Sequence, residues 1–82
     1  MEQPFGGAKL NNAVIVTFTA REHSGKTTLE AAFAKLLGEH GISVRMPPDA
    51  QRDEKMEMSM VELLERFKAK GVTVLMMESN AT

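Results

Sequence analysis

The sequence predicts a small α/β protein with a three-stranded parallel sheet, ordered β-α-β-α-β, and helices on both faces. Residues 13–19 and 72–77 are nearly continuous apolar runs, which are typical of strands buried on both sides. Residues 42–46 alternate between apolar and polar side chains, like a short strand. The segments between these strands show helical periodicity, and such alternation implies right-handed crossovers between parallel strands.

The first helix is predicted over residues 25–40. Four large apolar side chains share one helical face, and they are Leu29, Phe33, Leu36 and Leu37. Gly41 is expected to end this helix as the left-handed residue that follows it.

The second helix is predicted from about residue 56. Residues 49–55 are charged and are interpreted as a loop or a frayed helix start, with Asp49 or Asp53 as the cap. Gly71 is the expected terminator. The apolar face of this helix comprises Met56, Met60, Leu63, Leu64 and Phe67.

The organisation along the chain is simple. Residues 1–12 are polar and contain glycine, and are interpreted as a flexible lead-in. Residues 13–78 form one minimal α/β domain in this interpretation, and residues 79–82 form a tail. A chain of 82 residues is short enough for a single domain to be the natural expectation.

Composition narrows the function classes. The net charge is −1, which argues against broad electrostatic binding to nucleic acid. There is no cysteine, so neither a disulfide nor a Cys-based metal site is expected. No apolar segment approaches the ~20 residues that cross a bilayer. No membrane partner and a cytoplasmic location are therefore expected.

The most informative segment is Ala20-Arg21-Glu22-His23-Ser24-Gly25-Lys26-Thr27, which has the Walker A spacing between a predicted strand and a predicted helix. Successive backbone N–H groups in such a loop form an anion nest, and the helix N-terminus adds free donors. Gly25 lets the backbone approach phosphate closely. Lys26 would reach the outer phosphate oxygens, and the Thr27 hydroxyl would bind Mg²⁺.

Residues 14–44 resemble the opening β-α-β unit of P-loop NTPases. The run His23-Ser24-Gly25-Lys26-Thr27-Thr28-Leu29, followed by Gly41-Ile42-Ser43-Val44, is similar to the MobB-like and nucleoside-kinase-like branches. The resemblance implies a minimal or truncated member that binds ATP or GTP with Mg²⁺.

The resemblance also assigns site residues. Phosphate contacts are expected from every residue of the loop and the first turn of its helix, namely Ala20, Arg21, Glu22, His23, Ser24, Gly25, Lys26, Thr27 and Thr28. Lys26 is the one candidate for a catalytic role. Thr27 is expected to bind the metal, together with Glu78, which follows the third apolar run where the family places an acidic ligand.

Several features weaken the step from binding to catalysis. Ala20 stands where the first glycine is usual, and Glu22 would repel phosphate if it pointed inward. Beyond the loop, Arg45 and Arg52 are the other candidate cations, and Asp49 and Asp53 could contact metal or nucleophile. Weak hydrolysis or none is therefore expected.

Two other interpretations stay open. The chain could be an inactive relative that acts as a small interaction or regulatory protein, with its methionine-rich second helix as the contact face. It could also be a piece of a larger NTPase. An open three-stranded sheet leaves both edges unpaired, which would favour a homo-oligomer or a protein partner.

Overall fold

The computed structural model describes residues 13–79, and across that range it contains three α-helices and no strand. The helices are α1 (Lys26–Glu39), α2 (Ala50–Lys55) and α3 (Met60–Ala69), and α1 packs against both of the others. The predicted lead-in and residues 80–82 of the predicted tail lie outside the described residues.

The predicted α/β fold, with its P-loop-type parallel sheet, is wrong over this range. Residues 13–19, 42–46 and 72–77 have no regular secondary structure, and many of their apolar side chains are exposed. Val14 is 91% exposed and Met76 is 92% exposed. A strand needs backbone hydrogen bonds from a partner strand, and three short strands would leave two open edges. A helix makes its hydrogen bonds within its own segment, so the helical regions form without that requirement.

The bounds of α1 agree closely with the predicted helix, and Gly41 ends it as expected. Gly41 has φ of +77°. Its N–H donates to the carbonyl of Gly38 at 3.1 Å, and the N–H of Ile42 donates to the carbonyl of Leu37 at 2.9 Å. This pair of bonds is the Schellman motif, which satisfies carbonyls that the end of the helix leaves free.

The core uses a different side of α1 from the predicted Leu/Phe face. Ala31 is 0% exposed and Ala32 is 4% exposed, and both pack against Leu63 of α3, which is 0% exposed. Phe33 and Leu36, from the predicted face, are 37% and 46% exposed. The short alanine side chains let the two helices approach closely, so the core forms between helices instead of beneath a sheet.

The first apolar segment still contacts α1. The ring of Phe18 meets the ring of Phe33 edge to face, with centroids 5.8 Å apart and an interplanar angle of 68°. This geometry is a favourable one for aromatic pairs. The contact holds the chain that enters the loop against a side of α1 other than its alanine side.

The second helical region is split in two, and each part has its own cap. The Asp49 carboxylate accepts hydrogen bonds from the N–H groups of Gln51 at 2.9 Å and Arg52 at 3.1 Å. Of the two predicted cap candidates, Asp49 is therefore the cap, and the helix it begins is α2. The unpredicted cap is Ser59, whose hydroxyl accepts from the N–H of Glu62 at 3.2 Å. Because Ser59 restarts the helix there, α2 and α3 are separate helices.

The methionines between α2 and α3 lie in the helix interface. Met56, Met58 and Met60 are half-buried and pack against the core cluster of Ala31, Ala32 and Leu63. The Lys35 ammonium of α1 also donates to the carbonyl of Met56 at 3.2 Å. The methionine face expected of an interaction protein is therefore largely covered by α1.

Candidate functional site

The loop before α1 contains two residues in the left-handed region of backbone space. His23 has φ of +64° and Gly25 has φ of +89°. The Ser24 hydroxyl, between them, donates to the carbonyl of Arg21 at 2.6 Å and closes the turn. An anion nest is formed where left-handed residues alternate with right-handed ones, and the left-handed residues on either side of Ser24 follow the first part of that pattern.

The N-terminus of α1 differs from those of the other two helices. Gly25 is its N-cap residue and provides no side-chain acceptor, and the first turn contains no acidic residue. By contrast, α2 and α3 begin with the Asp49 and Ser59 caps. The first N–H groups of α1 therefore have no side-chain cap, and the positive end of the helix dipole adds to their attraction for an anion.

These groups border a cleft of about 730 Å³. Its walls come from the loop, from α1, and from the ends of α2 and α3. The lining residues are Arg21, Glu22, His23, Gly25, Lys26, Thr27, Thr28, Glu30, Asp49, Gln51, Lys55, Arg66, Ala69 and Lys70. A cavity of this volume falls within the range of ordinary small-molecule sites.

The cleft carries an excess of positive charge. Among its lining residues five are Lys or Arg and three are Asp or Glu, which makes the balance +2 without His23. The whole chain has a net charge of −1, so positive charge is concentrated at this cleft. One of the three carboxylates, Asp49, is already occupied as the α2 cap. The field in the cleft therefore favours an anionic ligand.

The end of α3 lies directly against the loop. A Cβ atom built on Gly25 would be 2.9 Å from Cδ1 of Phe67 and 3.3 Å from Cγ of Lys70. Only glycine allows the helix end and the loop backbone to come this close. This contact brings Lys70 and Arg66 to the cleft, and neither was predicted, although a basic last turn of the helix was visible in the sequence.

Seven of the nine predicted phosphate-contacting residues line the cleft. Ala20 and Ser24 are the two that do not, and the hydroxyl of Ser24 is used inside the loop. Thr28 is 6% exposed, so little of its surface is open to solvent.

The candidates outside the loop are more dispersed. Glu78, the second predicted metal ligand, is exposed and is not part of the cleft lining, and the same holds for Arg45. Arg52 is buried, donates to the carbonyl of Pro47 at 2.5 Å, and lies 3.7 Å from Asp53. Arg52 and Asp53 thus contribute to the start of α2 and not to the cleft.

The side chains of residues 13–79 do not form a metal centre of their own. No group of three or more His, Cys, Asp or Glu side chains is placed to hold a metal ion in that part of the chain. A Mg²⁺ ion bound with a nucleotide takes most of its ligands from phosphate and water. The hydroxyl-bearing residues of the cleft lining are Thr27 and Thr28. None of the three described helices has the length and apolar character to cross a bilayer.

Comparison with known proteins found no matching family model, no matching curated protein and no matching solved structure.

Proposed function

We propose that this protein binds the phosphate groups of a nucleoside triphosphate, ATP or GTP, as the Mg²⁺ complex, with weak hydrolysis or none. One observation carries the proposal. The loop that contains the left-handed residues His23 and Gly25 leads directly to the N-terminus of α1, which has no side-chain cap. Lys26 and Thr27, the first residues of α1, line the same cleft as this loop.

Each group has a distinct part in the proposed complex. Loop and first-turn N–H groups donate to the phosphate oxygens, and the missing Cβ of Gly25 lets the ligand approach the backbone. The Lys26 ammonium neutralises the outer phosphates, and the Thr27 hydroxyl supplies the protein ligand to Mg²⁺. Both side chains line the cleft.

Binding is proposed ahead of catalysis because phosphoryl transfer requires more than charge neutralisation. It needs a positioned nucleophile and a site that excludes water. The carboxylates of the cleft lining are Glu22, Glu30 and Asp49, and Asp49 is committed to its cap. Lys26 is exposed to solvent, which is compatible with binding but provides no enclosed reaction site.

The first test is a calorimetric titration with ATP and GTP, with and without Mg²⁺, on the wild type and on Lys26→Ala. A hydrogen bond to a charged group is worth about 1.5 kcal/mol or more, so the Kd should rise roughly tenfold or more. Lys68→Ala is the matched control, because Lys68 is an exposed lysine outside the cleft lining, and its Kd should not change.

The same samples show whether the protein hydrolyses the bound nucleotide. Phosphate release from ATP and GTP should be slow or undetectable in the wild type. Equal and negligible nucleotide binding by the wild type and Lys26→Ala would overturn the proposed function. An equal loss of affinity in Lys68→Ala would show that general surface charge, and not the loop, attracts the nucleotide.

A further inference from the structure

The end of α3 brings a second set of cations to the loop. Arg66 and Lys70 are four residues apart, so they lie on the same side of the helix, and both line the cleft. Lys70 lies next to the loop, since its Cγ is 3.3 Å from the place that a Cβ on Gly25 would take. The stem of Lys70 therefore rests against the loop backbone.

These cations approach the loop from a different helix than Lys26 does. Lys26 follows Gly25 at the start of α1, whereas Lys70 reaches the same glycine from the end of α3, and Arg66 of that helix lines the same cleft. A phosphate seated on the loop would therefore lie in a cleft whose lining includes one cation from α1 and two from α3. A guanidinium group and an ammonium group together suit adjacent phosphates, because the first can bind two oxygens at once.

The rest of the lining offers little for a nucleobase. Within the described residues, every lining side chain except those of Gly25 and Ala69 is polar or charged, and none is a phenyl, phenol or indole ring. Proteins that hold a base usually stack it on an aromatic or broad apolar surface. The nearby Phe67 ring lies against Gly25 and is not part of the lining.

We infer that the cleft recognises the polyphosphate chain and not the base, and that Arg66 and Lys70 are specificity-determining residues for the outer phosphates. The ligand class is a triphosphate chain, either on a nucleoside with any base or as inorganic tripolyphosphate. This inference rests on the proposed phosphate-binding function of the loop.

The test compares the Mg²⁺ complexes of ATP, GTP, CTP and inorganic tripolyphosphate with AMP, by calorimetric titration of the full chain. The four triphosphates should have Kd values within roughly threefold of one another, and AMP should bind at least tenfold more weakly. In the double variant Arg66→Gln/Lys70→Gln, triphosphate affinity should fall roughly 3- to 25-fold, because one exposed charge pair contributes up to about fivefold. AMP affinity should change less than twofold.

Two matched control variants show whether that loss of affinity comes from the charges of Arg66 and Lys70. Lys68→Gln removes a cation from the same helix outside the cleft lining and should leave every Kd unchanged. Arg66→Lys/Lys70→Arg keeps both charges and should retain most of the triphosphate affinity. Melting temperatures identify any variant that fails to fold. If Arg66→Gln/Lys70→Gln does not fold, the affinity of the charge-preserving variant decides whether the inference holds.

The possible outcomes separate this inference from the proposed function. If Lys26→Ala loses binding while Arg66→Gln/Lys70→Gln binds like the wild type, the inference is overturned and the proposed function stands. A tenfold or greater preference for one base also overturns the inference. So does a loss of triphosphate affinity in Arg66→Lys/Lys70→Arg that equals the loss in Arg66→Gln/Lys70→Gln. If the wild type binds none of the ligands, both are overturned.

Discussion

Replacement of Gly25 by alanine tests the contact between the loop and α3. Two independent features of Gly25 make this substitution unfavourable. Its φ is +89°, and the new methyl group would lie 2.9 Å from Cδ1 of Phe67 and 3.3 Å from Cγ of Lys70. Ordinary contacts between carbon atoms are about 3.5–4.0 Å, so the ring of Phe67 or the loop must move.

The two features contribute separable amounts of free energy. A left-handed backbone costs an alanine residue about 1–2 kcal/mol. Overpacking of a contact without free space costs about 1–3 kcal/mol. We therefore expect Gly25→Ala to lower the free energy of unfolding by about 2–5 kcal/mol, a large part of the total for a domain of this size. Affinity for nucleotide should fall as well, because the moved loop no longer presents its N–H groups together.

Two other glycines provide matched controls. Gly41 has φ of +77°, and no atom lies within 4 Å of the place that an added methyl group would take, so Gly41→Ala isolates the backbone cost of about 1–2 kcal/mol. Gly38 lies inside α1 at ordinary φ, also with nothing within 4 Å. Gly38→Ala should therefore stabilise the protein by about 0.5–1 kcal/mol.

Urea denaturation followed by circular dichroism measures all three variants. The expected order of stability is Gly38→Ala, wild type, Gly41→Ala and Gly25→Ala, from highest to lowest. The double variant Gly25→Ala/Phe67→Leu should recover part of the steric loss, which a double-mutant cycle quantifies. If Gly25→Ala is no less stable than Gly41→Ala, α3 does not pack on the loop and the geometry argued for the cleft is refuted.

Two further predictions concern the loop and the cap of α3. His23→Gly should stabilise the protein by about 0.5–1 kcal/mol. The strain free energy that glycine relieves at φ +64° is larger than the free-energy cost of the conformational entropy that glycine adds to the unfolded chain. Nucleotide affinity should be retained, and a less stable His23→Gly protein in the same urea experiment would contradict the backbone described for the loop. Ser59→Ala should lose the bond from the Glu62 N–H and about 1 kcal/mol of stability, seen as a fall of roughly 4–8 °C in Tm. Ser43→Ala, at an exposed position outside the helices, is its control, and equal Tm values for the two variants would count against the cap.

Features that depend on a few neighbouring residues were predictable from the sequence. The extent of α1, its end at Gly41, the end of α3 at Gly71 and the cap at Asp49 are confirmed. Ser59 could have been found in the same way, since Ser-Met-Val-Glu has the spacing of a capping box. The location of the candidate site also follows from local pattern, because the loop and the start of α1 are contiguous in the chain.

Contacts between distant segments were decided only by the tertiary structure. Apolar runs at residues 13–19 and 72–77 have strand composition, but composition cannot show whether a second strand is available to pair with them. The core formed on the alanine side of α1 because small side chains allow Leu63 of α3 to approach. That same packing places Lys70 beside Gly25 and brings Arg66 into the same cleft lining, which no local pattern could predict. The sequence by itself thus determined where the loop lies and how its helix begins and ends, since those depend on hydrogen bonds between near neighbours. The tertiary structure decided which distant cations meet the loop, because that depends on how the helices pack.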